Sequence, residues 1–102
     1  CMKASFENII NKEHPVLVDF YADWCGPCQT MAPILKETKE TLGDAISIIK
    51  IDVDKNPALA QRFQIKSIPT LLLFHKGNVV WRQSGVVPKR DLLAVLEKHV
   101  SN

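Results

Sequence analysis

Two cysteines three residues apart, in Trp24-Cys25-Gly26-Pro27-Cys28, are the side chains of this sequence best suited to covalent chemistry. A thiolate is a nucleophile, and two cysteines one helical turn apart share a face closely enough to close a disulfide. The motif stands where a strand-like run gives way to a helical pattern, which sets Cys25 at a helix N-terminus. There the unpaired backbone N–H groups and the positive end of the helix dipole favour the charged sulfur. Gly26 and Pro27 allow the tight turn, and a proline in the first turn has no N–H partner to lose. Two other readings of the spacing are weaker. A structural zinc site needs four ligands, and Cys1, His14, His75 and His99 have no paired spacing, so no metal is expected. An inert structural disulfide would close too small a loop to add much stability.

The elements that must position this pair are legible from periodicity. Phe6, Ile9 and Ile10 predict a short helix that ends before His14-Pro15. Val16 to Ala22 is apolar at nearly every position, as in a strand covered on both faces. Cys28, Met31 or Ala32, Leu35 and Leu42 continue at helical spacing to a glycine stop at Gly43-Asp44, with Pro33 expected to kink the helix. Ile46 to Val53 predicts a second strand, and Asn56-Pro57 an N-cap and first-turn proline for a short helix through Phe63. Thr70 to Phe74 predicts a third, buried strand, turned by Gly77-Asn78 into Val79 to Gln83 as an antiparallel hairpin. Pro88 opens a last helix with Leu92, Leu93, Leu96 and Val100. Alternating strands and helices predict an α/β domain of three layers, a central mixed sheet flanked by helices and closed by an antiparallel hairpin.

The chain has 102 residues, 46% of them hydrophobic, and no linker or repeat divides it, so residues 1–102 read as a single domain. A core of that size needs no disulfide framework. Thirteen basic and eleven acidic side chains leave +2, too little for a nucleic-acid footprint. Residues 1–51 carry net −2 and residues 52–102 net +4, with the basic groups scattered as on a solvated face. No apolar run approaches the roughly 20 residues of a membrane span, and Lys3, Glu7, Lys12 and Glu13 interrupt the start as no secretory signal would be interrupted. A cytoplasmic protein without nucleic-acid or membrane partners is the expectation. Cys1, ahead of Met2, is expected to be an incidental remnant rather than a ligand or lipid anchor.

The sequence resembles the thioredoxin family along nearly its whole length. The likeness runs through Asp19-Phe20-Tyr21-Ala22-Asp23 and the cysteine motif, Pro33, Lys50 with Asp52-Val53-Asp54, Ile65-Lys66-Ser67-Ile68-Pro69-Thr70-Leu71, Gly77 and Gly85. It implies the thioredoxin fold and a protein-disulfide reductase that maintains redox homeostasis, with Cys25 as nucleophile and Cys28 as resolving thiol. No bound cofactor is implied. The Cys25–Cys28 disulfide would be reduced by a partner thioredoxin reductase using flavin and NADPH, and the other partners would be disulfide-containing proteins met by a monomer. Asp19, a carboxylate in an apolar strand, would exchange the proton of Cys28, since burial raises its pKa. Lys50 would modulate it. Trp24, Gly26 and Pro27 form the active-site turn, and Val53, Ile68, Pro69 and Gly85 the substrate-binding patch, with Ile68-Pro69 as a cis-proline loop.

Gly-Pro between the cysteines favours a reductase over oxidising or isomerising relatives; a non-catalytic binding subunit is the further alternative. Ser67 and Ser84 replace the family's frequent glycine and apolar residue at the substrate rim. The family's first edge strand is expected to be shortened, because only about four residues precede the first helix. Trp81 is expected to pack on the hairpin, and the three histidines to lie on the surface.

Overall fold

Two predominantly apolar runs become the two inner strands of the sheet. In the computed structural model, which describes residues 5–100, β1 (Val16–Tyr21) and β3 (Thr70–His75) are buried along nearly their whole length. Around them lie α1 (Phe6–Ile10), α2 (Gly26–Leu42), a short 3-10 turn (Gly43–Ala45), β2 (Ser47–Asp52), α3 (Pro57–Arg62), β4 (Asn78–Ser84) and α4 (Lys89–Val100). The sheet order is β2-β1-β3-β4. β1 pairs in parallel with β2 and antiparallel with β3, and β3 pairs antiparallel with β4, giving the expected mixed sheet and hairpin.

Because side chains alternate across a strand, each inner strand feeds two cores. Leu17, Leu71 and Leu73 face one side, where Met31 and Leu35 of α2 and Leu92 and Leu96 of α4 cover them. Val16, Val18, Phe20, Leu72 and Phe74 face the other, under Phe6 and Ile10 of α1, Leu59 of α3 and Phe63 just after it. The rings of Phe6, Phe63 and Phe74 meet one another at centroid distances of 5.5–5.6 Å. These are the three layers. Trp81 packs against the α2–α4 core from the hairpin. Leu73→Ala, which empties a fully buried position, should cost about 3 kcal/mol. Urea denaturation should show a lowered midpoint at constant slope, whereas Val80→Ala on the exposed face should stay within about 0.5 kcal/mol.

Local chemistry departs from expectation at three places. The hairpin turns at Lys76-Gly77, one residue earlier than Gly77-Asn78: both have positive φ, 53° and 87°, and Asn78 already pairs with His75. Two consecutive left-handed residues match the right-handed twist of the flanking strands. Asn56 precedes α3 but its side chain does not cap it; Nδ2 donates instead to the Asp52 carbonyl at 3.0 Å. The histidines are half-buried rather than free on the surface: His14 Nε2 lies 2.7 Å from Ser47 Oγ, and His75 Nε2 lies 2.9 Å from the Glu13 carbonyl. Helix α2 runs through Pro33 as one element. Cys1 and the shortened edge strand fall outside the described residues.

Candidate active site

The end of β1 hands the chain to α2 through a short turn, and this junction puts Cys25 at the N-cap of a 17-residue helix. Its sulfur accepts the backbone N–H of Cys28 at 3.1 Å, taking over one of the donors that a helix start leaves without a partner. Cys25 and Cys28 are joined as a disulfide, with Cα atoms 5.3 Å apart. Both are buried, at 4% and 5% exposure, so accessibility alone does not distinguish them. Position does: only the Cys25 sulfur receives the helix-terminal N–H, and it also lies 3.7 Å from the Ile68 carbonyl oxygen. Ala22, Tyr21, Val53 and Ile68 pack around the two sulfurs.

The Ile68–Pro69 peptide bond is cis, and Pro69 is buried. Gly85 donates its N–H to the Pro69 carbonyl at 2.8 Å with φ of 90°, a left-handed conformation that a side chain would strain. Trp24 is 71% exposed beside the cysteines, and its Nε1 donates to Asp54 Oδ2 at 2.8 Å. Gly26 and Pro27 form the exposed first turn of α2. A cleft of about 340 Å³ lies between Trp24, Val53 and the Ile65–Ile68 segment. Thus Trp24, Val53, Ile68, Pro69 and Gly85 gather around Cys25. Asp19 lies deeper, within β1, while Lys50 is exposed on β2.

Asp19 is fully buried, and neither carboxylate oxygen has a hydrogen-bond partner among the described residues. Burial pushes its pKa up to about 6, against a smaller downward pull from the Lys50 ammonium. Lys50 is the register partner of Asp19 on β2, but its Nζ stands over the Tyr21 ring, 4.4 Å from the centroid. A pocket of about 190 Å³ borders Tyr21, Cys28, Ala32 and Lys50 and opens the Cys28 side. Asp52 supplies the contrast: it is also buried, but its Oδ1 accepts the N–H groups of Asp54 and Lys55 at 2.8 and 3.3 Å. Asp54 and Tyr21 join the site through contacts with Trp24 and Lys50 that link separate strands and loops, which their place in the sequence does not signal. Among the described residues no cluster of three His, Cys, Asp or Glu is placed to hold a metal ion.

The thioredoxin family model matches residues 1–98. The chain is 49% identical over 94 residues to thioredoxin Y2, chloroplastic, of Arabidopsis thaliana, covering 91% of this chain and 56% of that protein. It spans little more than half the length of the plant relatives it matches. A thioredoxin from the red alga Pyropia yezoensis is 44% identical over 99 residues, covering 96% of this chain and 92% of the relative. Among solved structures, a mutant thioredoxin from Halobacterium salinarum aligns with TM-score 0.84 at 36% identity, covering 92% of this chain and 81% of that one. Chloroplastic thioredoxin z aligns with TM-score 0.83 at 29% identity over 92% of this chain and 85% of its own. The chain belongs to the thioredoxin family, and dithiol–disulfide exchange is the chemistry within which its cysteine pair is read.

Proposed function

We propose that this chain, acting as one monomeric domain over residues 1–102, reduces protein disulfides. The observation that carries the reading is the Cys25 sulfur itself: an N-cap that accepts a helix-terminal N–H and faces an apolar rim. In the dithiol state the same N–H stabilises a Cys25 thiolate. That thiolate attacks one sulfur of a substrate disulfide, the substrate S–S bond breaks, and the second substrate sulfur leaves as a thiolate that takes up a proton. Cys28 then gives its proton to Asp19, directly or through water, and attacks Cys25 within the mixed disulfide. The Cys25–Cys28 bond forms, the substrate sulfur expelled from Cys25 leaves as a thiolate and takes up the second proton, which Asp19 returns directly or through water, so two electrons and two protons have passed to the substrate. No bound cofactor takes part.

Lys50 tunes Asp19, Trp24, Gly26 and Pro27 shape the turn, and Val53, Ile68, Pro69 and Gly85 receive an extended polypeptide by backbone pairing and apolar contact. Recycling falls to a thioredoxin reductase using flavin and NADPH. The plastid relatives favour a ferredoxin-linked reductase as the alternative electron source. The fitting location is a reducing compartment, the cytoplasm or a plastid interior; no helix among the described residues is long and apolar enough to cross a membrane.

Insulin with NADPH and a flavin thioredoxin reductase tests the reading: the protein should catalyse NADPH-dependent reduction of insulin. Failure with that reductase but success after chemical reduction by a dithiol would reassign only the electron source. Failure in both would overturn the reductase reading. Equilibration with glutathione separates an oxidase, which stays largely reduced in mildly reducing mixtures, from the proposed reductase, which stays oxidised there.

A further inference from the structure

Between α3 and β3, residues 63–69 run without regular structure and carry Ile68, whose carbonyl faces the Cys25 sulfur. Gln64 adopts φ of 54° as the left-handed residue that ends α3: its N–H donates to the Gln61 carbonyl at 3.0 Å and the Ile65 N–H to the Ala60 carbonyl at 2.8 Å. Two further sets of contacts reach the segment from β3 and β4. At its start, the Arg82 guanidinium donates from Nη1 to the Phe63 carbonyl at 2.6 Å and from Nη2 to the Gln64 carbonyl at 2.9 Å. Near its end, the Thr70 hydroxyl donates to the Ser67 carbonyl at 2.6 Å and lies 3.0 Å from Ser84 Oγ. Since the Thr70 proton is committed to Ser67, Ser84 is the donor in that second contact. Arg82 and Ser84 stand two residues apart on β4, on one face of the strand, paired in register with Leu72 and Thr70.

We propose that Arg82 and Ser84 are positioning residues for disulfide exchange: from one face of β4 they fasten the 63–69 segment, Arg82 directly at its start and Ser84 through the Thr70 hydroxyl near its end. They thereby hold the Ile68 backbone opposite Cys25 as the edge on which an extended, disulfide-bearing polypeptide pairs. A forked guanidinium on two successive carbonyls fixes orientation as well as distance. The Thr70–Ser84 hydroxyls do the same at the other end. A small disulfide makes no such backbone pairing, so the fastening acts on polypeptide substrates in particular. This inference rests on the reductase reading above.

The test compares pre-reduced wild type with Arg82→Met, Ser84→Val and the double variant, against insulin and against cystine. Both side chains are exposed, so the substitutions leave the cores intact. The second-order rate with insulin should fall about tenfold in the double variant and less in each single one, while the cystine rate stays within about twofold. Amide hydrogen exchange at residues 64–68 should quicken in the same variants, and Ser84→Thr, which keeps the hydroxyl, should behave as wild type. Unchanged insulin rates, an equal fall with both disulfides, or a fall with insulin without faster exchange would each overturn the proposal. Wild type that reduces neither disulfide would instead overturn the reductase reading beneath it.

Discussion

Cys25→Ser should lower insulin reduction by at least about a thousandfold, to background, because a serine hydroxyl is not ionised by a helix terminus and cannot form an S–S bond. Cys28→Ser should fail at a different step. Its Cys25 still sits at the N-cap and still accepts the N–H of residue 28, so it attacks the substrate; with no second thiol, the mixed disulfide then accumulates. Mass spectrometry of Cys28→Ser mixed with a disulfide-bearing peptide should therefore find the peptide attached to Cys25. The reverse pattern, adducts with Cys25→Ser and none with Cys28→Ser, would exchange the roles of the two cysteines. The experiment is decisive because burial does not choose between them, at 4% and 5% exposure. Only the direction of one N–H and the neighbouring Ile68 carbonyl do.

The same asymmetry explains what could be read before any coordinates. β1 and β3 are legible because a strand covered on both faces must be apolar at successive positions, and Leu71, Leu72 and Leu73 divide between the two cores as that rule requires. Turn chemistry is less legible. Gly77 marks the hairpin, but nothing in the order Lys76-Gly77-Asn78 says that Lys76 takes the left-handed position. The cysteine motif announces its chemistry by spacing, whereas Pro69, taken alone, reads as a strand-start proline and gains its place in the site only through family resemblance. Ser84 stands out only as a polar residue at the substrate rim, and neither it nor Arg82 signals a fastening role locally. Arg82 reaches the Phe63 and Gln64 carbonyls 19 and 18 positions away, Ser84 reaches Thr70 of β3 14 positions away, and both contacts depend on the β3–β4 register.

Asp19→Asn should make the protein more stable and less competent. The folded chain holds the Asp19 proton to about pH 6, while the ordinary carboxyl pKa is 3.8. Between those values the folded state keeps a proton that the unfolded state releases, so stability falls as pH rises through the window. Above about pH 6 the deficit is constant, about 3 kcal/mol, as the difference in pKa converts. Asparagine imitates the protonated carboxyl in shape and neutrality and has no proton to lose. At pH 8 the variant should therefore melt about 10 °C or more above wild type, and at pH 4 the difference should shrink below about 1 kcal/mol. A pH-independent difference would remove Asp19 ionisation as its cause. The variant should also release mixed disulfides about a hundredfold more slowly at pH 7, since no carboxylate remains to take the Cys28 proton. In wild type that release should accelerate from pH 5 to 7 as Asp19 ionises. Lys50→Met, by removing the downward pull of the ammonium, should move the acceleration to higher pH. An unpartnered buried carboxylate thus lowers stability most at the pH where the proposed base would be ionised, a cost that the proposed proton transfer accounts for and the fold does not.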